Sequence, residues 1–214
     1  MAEDIRYNVS QLFQIAFGQN SPVFIPEPLL SSPPANINYS GLVPLDENYA
    51  GENGFRTMSW MGTPIVFPVK FKGKEYQLYN GVGEIVKIRL NDYQLPAATL
   101  LSFRRAKNIT RTNLLGSNGT VKEIYGLDDW VIDVKGLCLD EPGNPATAQM
   151  AKLQQWEELA DAIEVRGSLF SGLKISAVAM VDFQKDNTQA KPGVIPFQFQ
   201  LLSDEAVELV ISGL

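Results

Sequence analysis

From Thr57 onward, short segments in which apolar and polar residues alternate follow one another along the chain. That period of two limits the fold more than any other feature, because it places one face of each segment in a core and the other outside. The segments are Ile65 to Lys72, Glu75 to Tyr79, Ile85 to Leu90, Thr99 to Arg104, Thr120 to Tyr125, Trp130 to Leu139, Ile163 to Arg166, Leu173 to Asp182 and Pro196 to Leu202. In two of them the alternation is clean: Trp130, Ile132 and Val134 share a face, and Phe197, Phe199 and Leu201 alternate with Gln198 and Gln200. Half-buried antiparallel strands read this way. The first two segments, separated by Gly73 and Lys74, read as a hairpin. One helix interrupts the strands at about 145–161, with Asn144 as cap, Pro145 in the first position, and Met150, Leu153, Leu159 and Ala160 as its apolar stripe. The expected fold is mainly β, an antiparallel sandwich or small barrel with one packed helix, over residues 57–214.

Two different textures precede that domain. In residues 1–18, Val9, Leu12, Phe13, Ala16 and Phe17 form one stripe of an amphipathic helix that Gly18 would end. Such a helix covers its own domain or docks on a neighbouring subunit, and the stripe is the same in both cases. Residues 19–56 hold Pro22, Pro26, Pro28, Pro33, Pro34 and Pro44, with Phe24, Ile25, Leu29 and Leu30 interspersed. Proline removes amide donors, so the stretch is expected to run extended, and its apolar residues suit an arm lying against a surface.

The 214 residues are 45% hydrophobic and 20% charged, enough to bury a core. There is no histidine, which excludes Ser-His-Asp and Cys-His nucleophile systems and His-based metal sites. The single cysteine, Cys138, lies between Leu137 and Leu139 and reads as a packed residue. Gly81 and Gly83 lack the third glycine of a dinucleotide loop and read as a turn. The acidic pairs Asp128 with Asp129, Asp140 with Glu141, and Glu157 with Glu158 are sequence neighbours that rarely converge, and Asp182 to Thr188 lacks the glycine and terminal glutamate of a calcium loop. No catalytic, metal or cofactor site is expected. Neither a bilayer-spanning apolar run nor a secretory leader pattern is seen, so the expectation is synthesis in a reducing cytoplasm without membrane insertion.

Charge is segregated. Residues 85–122 carry Lys87, Arg89, Arg104, Arg105, Lys107, Arg111 and Lys122 against Asp92 alone, a net +6, whereas 1–84 and 123–214 carry −3 and −9. A subunit stacked against an oppositely charged neighbour, a phosphate-binding patch and a solvated basic loop all produce this pattern. The net charge of −6 disfavours specific nucleic-acid binding.

Three runs within this region and just beyond it are distinctive: Arg104 to Thr112, Gly116 to Glu123 and Asp128 to Gly136. They resemble an uncharacterised family encoded among tail and baseplate genes of bacteriophages and prophages of Bacteroidota. The likeness extends through the Pro145 helix to Pro196-Phe197-Gln198-Phe199 and Ser203-Asp204. The resemblance implies a virion structural protein, similar to tail-tube and tube-initiator proteins, whose partners are further copies in a ring and other tail or baseplate proteins, with DNA passing through a lumen. It implies an interface loop and strand of Arg104, Arg105, Lys107, Arg111, Thr112, Gly116, Asn118, Gly119, Lys122 and Glu123, with Thr110 to Thr120 as the loop. Leu12, Phe13 and Phe17 of the helix and Phe24, Leu29 and Leu30 of the arm are the second expected interface. A receptor- or carbohydrate-binding β-sandwich of a phage tail is the alternative.

Overall fold

The computed structural model describes residues 8–18, 55–56, 59, 65, 67–113, 115–116, 118–185 and 192–204. In chain order the elements are α1 (Val9–Phe17), β1 (Lys70–Phe71), β2 (Glu75–Tyr79), β3 (Ile85–Arg89), β4 (Tyr93–Gln94), β5 (Ala98–Asn113), β6 (Thr120–Leu139), α2 (Ala146–Glu157), β7 (Ile163–Arg166), α3 (Ser168–Gly172), β8 (Ala177–Lys185) and β9 (Val194–Ser203). Seven strands form one sheet in the order β4-β1-β7-β8-β9-β6-β5, every pair antiparallel. The sheet curls as a half-barrel, and β2 with β3 forms a separate hairpin. The mainly antiparallel β fold with a packed helix is thus as the alternation predicts.

Alternation explains the core. Ile132, Val134 and Cys138 of β6 and Phe197, Phe199 and Leu201 of β9 point to one face, where they meet Phe71, Tyr76, Ile163, Phe170 and the α2 residues Met150, Leu153 and Trp156. Gly136 makes this packing possible, since a Cβ there would lie 2.3 Å from Cζ of Phe197. The opposite face of β6 is polar at Asp133 and Lys135 but apolar at Leu137 and Leu139. On that apolar end sits α1, burying Leu12 and Phe13 against Ala98, Leu137, Leu139 and Val194. Asn8 caps α1 by accepting from Gln11 N at 3.1 Å, and Gly18 ends it in the left-handed region at φ 64°.

Several boundaries differ from the sequence expectation. The first hairpin is not Ile65–Lys72 with Glu75–Tyr79: β1 pairs with β4 and β7, and β2 pairs with β3 across the turn at Gly81 to Gly83. Gly73 is a crossing point instead, where a Cβ would meet the main chain of Asn91 and Asp92 at 2.5 Å. For α2 the capping acceptor is Asp140, whose Oδ1 takes Ala146 N at 2.7 Å, and Pro145, not Asn144, occupies the cap position. The segment from Leu173 begins as the turn after α3, and β8 starts only at Ala177. The arm, with Phe24, Leu29 and Leu30, lies outside the described residues, and among those described no helix is long and apolar enough to cross a membrane.

Candidate assembly surface

The expected Thr110–Thr120 loop is strand at both ends. β5 continues to Asn113, β6 begins at Thr120, and the connection is confined to residues 114–119, where Gly116 and Gly119 take positive φ of 79° and 122°. The break expected between Tyr125 and Trp130 is likewise absent: β6 runs through it, absorbing register shifts near Arg105/Lys107 and Asn108/Ile109. Because β9 pairs with β6 only from Val131 to Leu139, the rest of the hairpin stands clear of the sheet as a two-stranded ribbon of roughly 25 Å.

Lateral exposure follows from having no third strand among the described residues. Ile109, Val121, Ile124, Tyr125 and Leu127 are all exposed, and Leu115 at the tip is fully so. Pairing puts Ile109 opposite Ile124 and Arg111 opposite Lys122, on the same face. Like charges directly opposite destabilise a hairpin, and among the described residues neither cation has an ion-pair partner. The other face carries Thr112 with Val121 and Thr110 with Glu123, and Tyr125 donates its hydroxyl to Glu123, which holds the phenol above its usual pKa. The ribbon surface therefore combines apolar side chains with unopposed positive charge. An interface with an acidic, partly apolar partner needs that combination.

Near the root, Arg104 lies 3.7 Å from Asp133, and Arg105 donates to the Asp128 carbonyl at 2.6 Å with its guanidinium 5.4 Å from the Trp130 ring. These two are anchored, whereas Lys107, Arg111, Thr112, Asn118, Lys122 and Glu123 are exposed on the ribbon or its tip. Leu12 and Phe13 of the second expected interface are buried within this chain, and Phe17 lies beneath Lys135, 5.8 Å from its ring centroid to Nζ. The apolar ribbon residues Ile109, Ile124, Tyr125 and Leu127 were not among the expected site residues. Their signal was the mirrored β-branched pattern of Ile109, Thr110 and Thr112 against Thr120, Val121 and Ile124.

Little else invites chemistry. Cys138 is fully buried, and burial pushes its thiol up to about 12. Among the described residues no cluster of His, Cys, Asp or Glu could hold a metal ion. A shallow groove of about 670 Å3 on the polar part of the sheet face opposite the main core is floored by Ser102, Asp133, Lys135, Asp182, Gln198 and Gln200. Its side chains are tied to one another, Gln200 donating to Asp133 at 2.7 Å and Gln198 to Gln184.

Among solved structures, the chain shows partial likeness to a subunit of the anti-feeding prophage baseplate, with 12% identity and a TM-score of 0.34 over 65% of this chain and 89% of that one. A second likeness is to a chain of the tail of an empty GTA particle, with 16% identity and a TM-score of 0.32 over 51% of this chain and 77% of that one. Scores of this size establish neither a common fold nor a common role. No curated protein matches the chain. Residues 94–213, which include the whole ribbon, β6, α2 and β9, match the family described as a domain of unknown function, DUF6046, and since they are more than half of the chain it belongs to that family.

Proposed function

We propose that this protein is a structural subunit of a phage tail or contractile-injection-like particle, a tail tube, tube initiator or baseplate hub, that acts by assembling into rings. The observation that carries the reading is the ribbon: it extends beyond the sheet, exposes Ile109, Ile124 and Leu127, and sets Arg111 against Lys122 with no acid among the described residues to neutralise them. A monomer gains nothing from that arrangement, whereas a neighbour of opposite charge removes both costs at once. The acidic composition outside residues 85–122 lets a second copy be that neighbour. Resemblance of Arg104–Thr112, Gly116–Glu123 and Asp128–Gly136 to products of tail and baseplate genes supports a position in the virion tail. No catalysis is required.

The test is the mass of the full-length protein by light scattering across a range of concentrations, followed by imaging of large species. Rings or tubes are expected, and replacing Ile124 and Leu127 by Ser should abolish them while leaving the circular dichroism spectrum unchanged. A chain that stays monomeric at every concentration and binds glycans would overturn the reading in favour of a receptor-binding module.

A further inference from the structure

β5 is the last strand of the seven-stranded sheet, so from Ala98 to Asn113 its outer edge has no strand beside it among the described residues. The unpaired amides and carbonyls of such an edge accept an added strand. Which strand is decided by side chains: β5 carries Arg104, Arg105, Lys107 and Arg111 and no acidic residue. Two β5 strands laid together would set cations against cations, so the edge selects an acidic, strand-forming segment.

The chain contains one. Asp204 follows β9 directly, and Glu205-Ala206-Val207-Glu208-Leu209-Val210-Ile211 comes next, with three carboxylates from Asp204 onward, no cation, and the valine and isoleucine that favour strands. Two edges of its own subunit are poor hosts. β9 ends beside the ribbon root, Leu202 opposite Val131. Continuing that antiparallel register along β6 would set Asp204 and Glu205 opposite Asp129 and Asp128, carboxylate against carboxylate. Its own β5 edge lies beyond β6, because the order is β9-β6-β5, so the segment would have to cross over the hairpin to reach it. A second copy's segment meets neither obstacle.

We infer that residues 205–211 of one copy add as a strand to the β5 edge of the next, over the root half of β5, with their acids beside Arg104, Arg105 and Lys107. This rests on the self-assembly reading and deepens it. Edge and segment are different surfaces of the same chain, so the contact is heterologous and propagates until a rotation closes it into a ring. The ribbon tip, with Arg111, Lys122, Ile109 and Ile124, is left for a further neighbour.

Charge exchange in the full-length chain tests the inference. Glu205→Lys with Glu208→Lys defines one variant, and Arg104→Glu with Lys107→Glu defines the other. Each alone should weaken self-association by at least about tenfold, as like-charge juxtaposition does at protein contacts. An equimolar mixture should restore it, because lysine segments then meet glutamate edges and native segments meet native edges; a folding defect cannot produce that recovery. Two variants that assemble as the unmodified chain does, or a mixture that fails to recover, would overturn the inference while leaving ring assembly standing. If the lysine-segment variant alone associates as well as the unmodified chain and is thermally more stable, the segment sits on its own β6 beside Asp128 and Asp129, and the inference fails. An unmodified chain that never associates removes the assembly reading and this inference together.

Discussion

The two halves of β6 are one strand with two environments. From Val131 to Leu137 it has β5 on one side and β9 on the other, with the main core beneath and α1 over its far end; from Thr120 to Asp129 it has, among the described residues, β5 alone. Ile132 is fully buried, whereas Ile124, eight positions earlier and of the same residue type, is 65% exposed. Strand propensity is the same for both isoleucines. What differs is whether another element covers them, so the first half stabilises the fold and the second is free to serve a contact outside the chain.

Substitutions in the sheet half give the largest expected effects. Phe197→Ala should destabilise the protein by about 3–5 kcal/mol, because its ring fills the space left by Gly136 and stacks on Phe199 at 5.8 Å between centroids. Urea unfolding would show it as a lower midpoint with little change in slope. The comparison within β6 comes next: Ile132→Ala should cost about 2–5 kcal/mol, and Ile124→Ala no more than about 0.5 kcal/mol, in the same unfolding measurement. Equal losses would mean that the ribbon is covered in the monomer and the contrast between the halves is false.

A capping change tests a local support of the sheet half. Asp140→Ala, which removes the acceptor for Ala146 N at the start of α2, should cost about 1 kcal/mol. A pH-dependent effect concerns Glu164, which receives hydrogen bonds from Lys72 Nζ at 2.8 Å and Lys74 Nζ at 2.9 Å. Those bonds hold its carboxyl down at about 2, below the ordinary 4.5. A depressed pKa stabilises the fold above the ordinary value, and the contribution is lost as pH falls from about 4.5 to about 2. With the pair over a third exposed, Glu164→Gln should cost at most about 1 kcal/mol at pH 7, and the difference from the unmodified protein should vanish near pH 2. Hydrogen exchange completes the comparison, since amides of Val131–Leu139 should exchange far more slowly than those of Thr120–Leu127.

How much of this was legible beforehand differs from element to element. α1 was readable because its stripe and its Gly18 stop are local features, and the structure adds the Asn8 cap. The β2–β3 pairing was not, since Gly73-Lys74 resembles a turn in sequence and only the approach of Asn91 and Asp92 shows that it is a crossing. At the ribbon, Gly126-Leu127-Asp128-Asp129 carries turn-type residues, and a strand persists there only because β5 pairs with it through two register shifts.

The candidate surface divides in the same way. Arg111, Lys122 and the glycines of the turn were visible as a basic, turn-containing segment, but sequence could not tell that Leu12 and Phe13 would be covered and that Ile124 and Leu127 would not. Period-two alternation, a single helical stripe after Pro145, absence of histidine and segregation of charge are properties of neighbouring residues and of composition, so the sequence by itself determined a mainly β chain with a basic segment and no histidine chemistry. Tertiary structure alone decided that β9 stops at Ser203 while β6 runs on as a ribbon that no other described element covers, because strand pairing joins residues distant in sequence and exposure depends on which elements pack together.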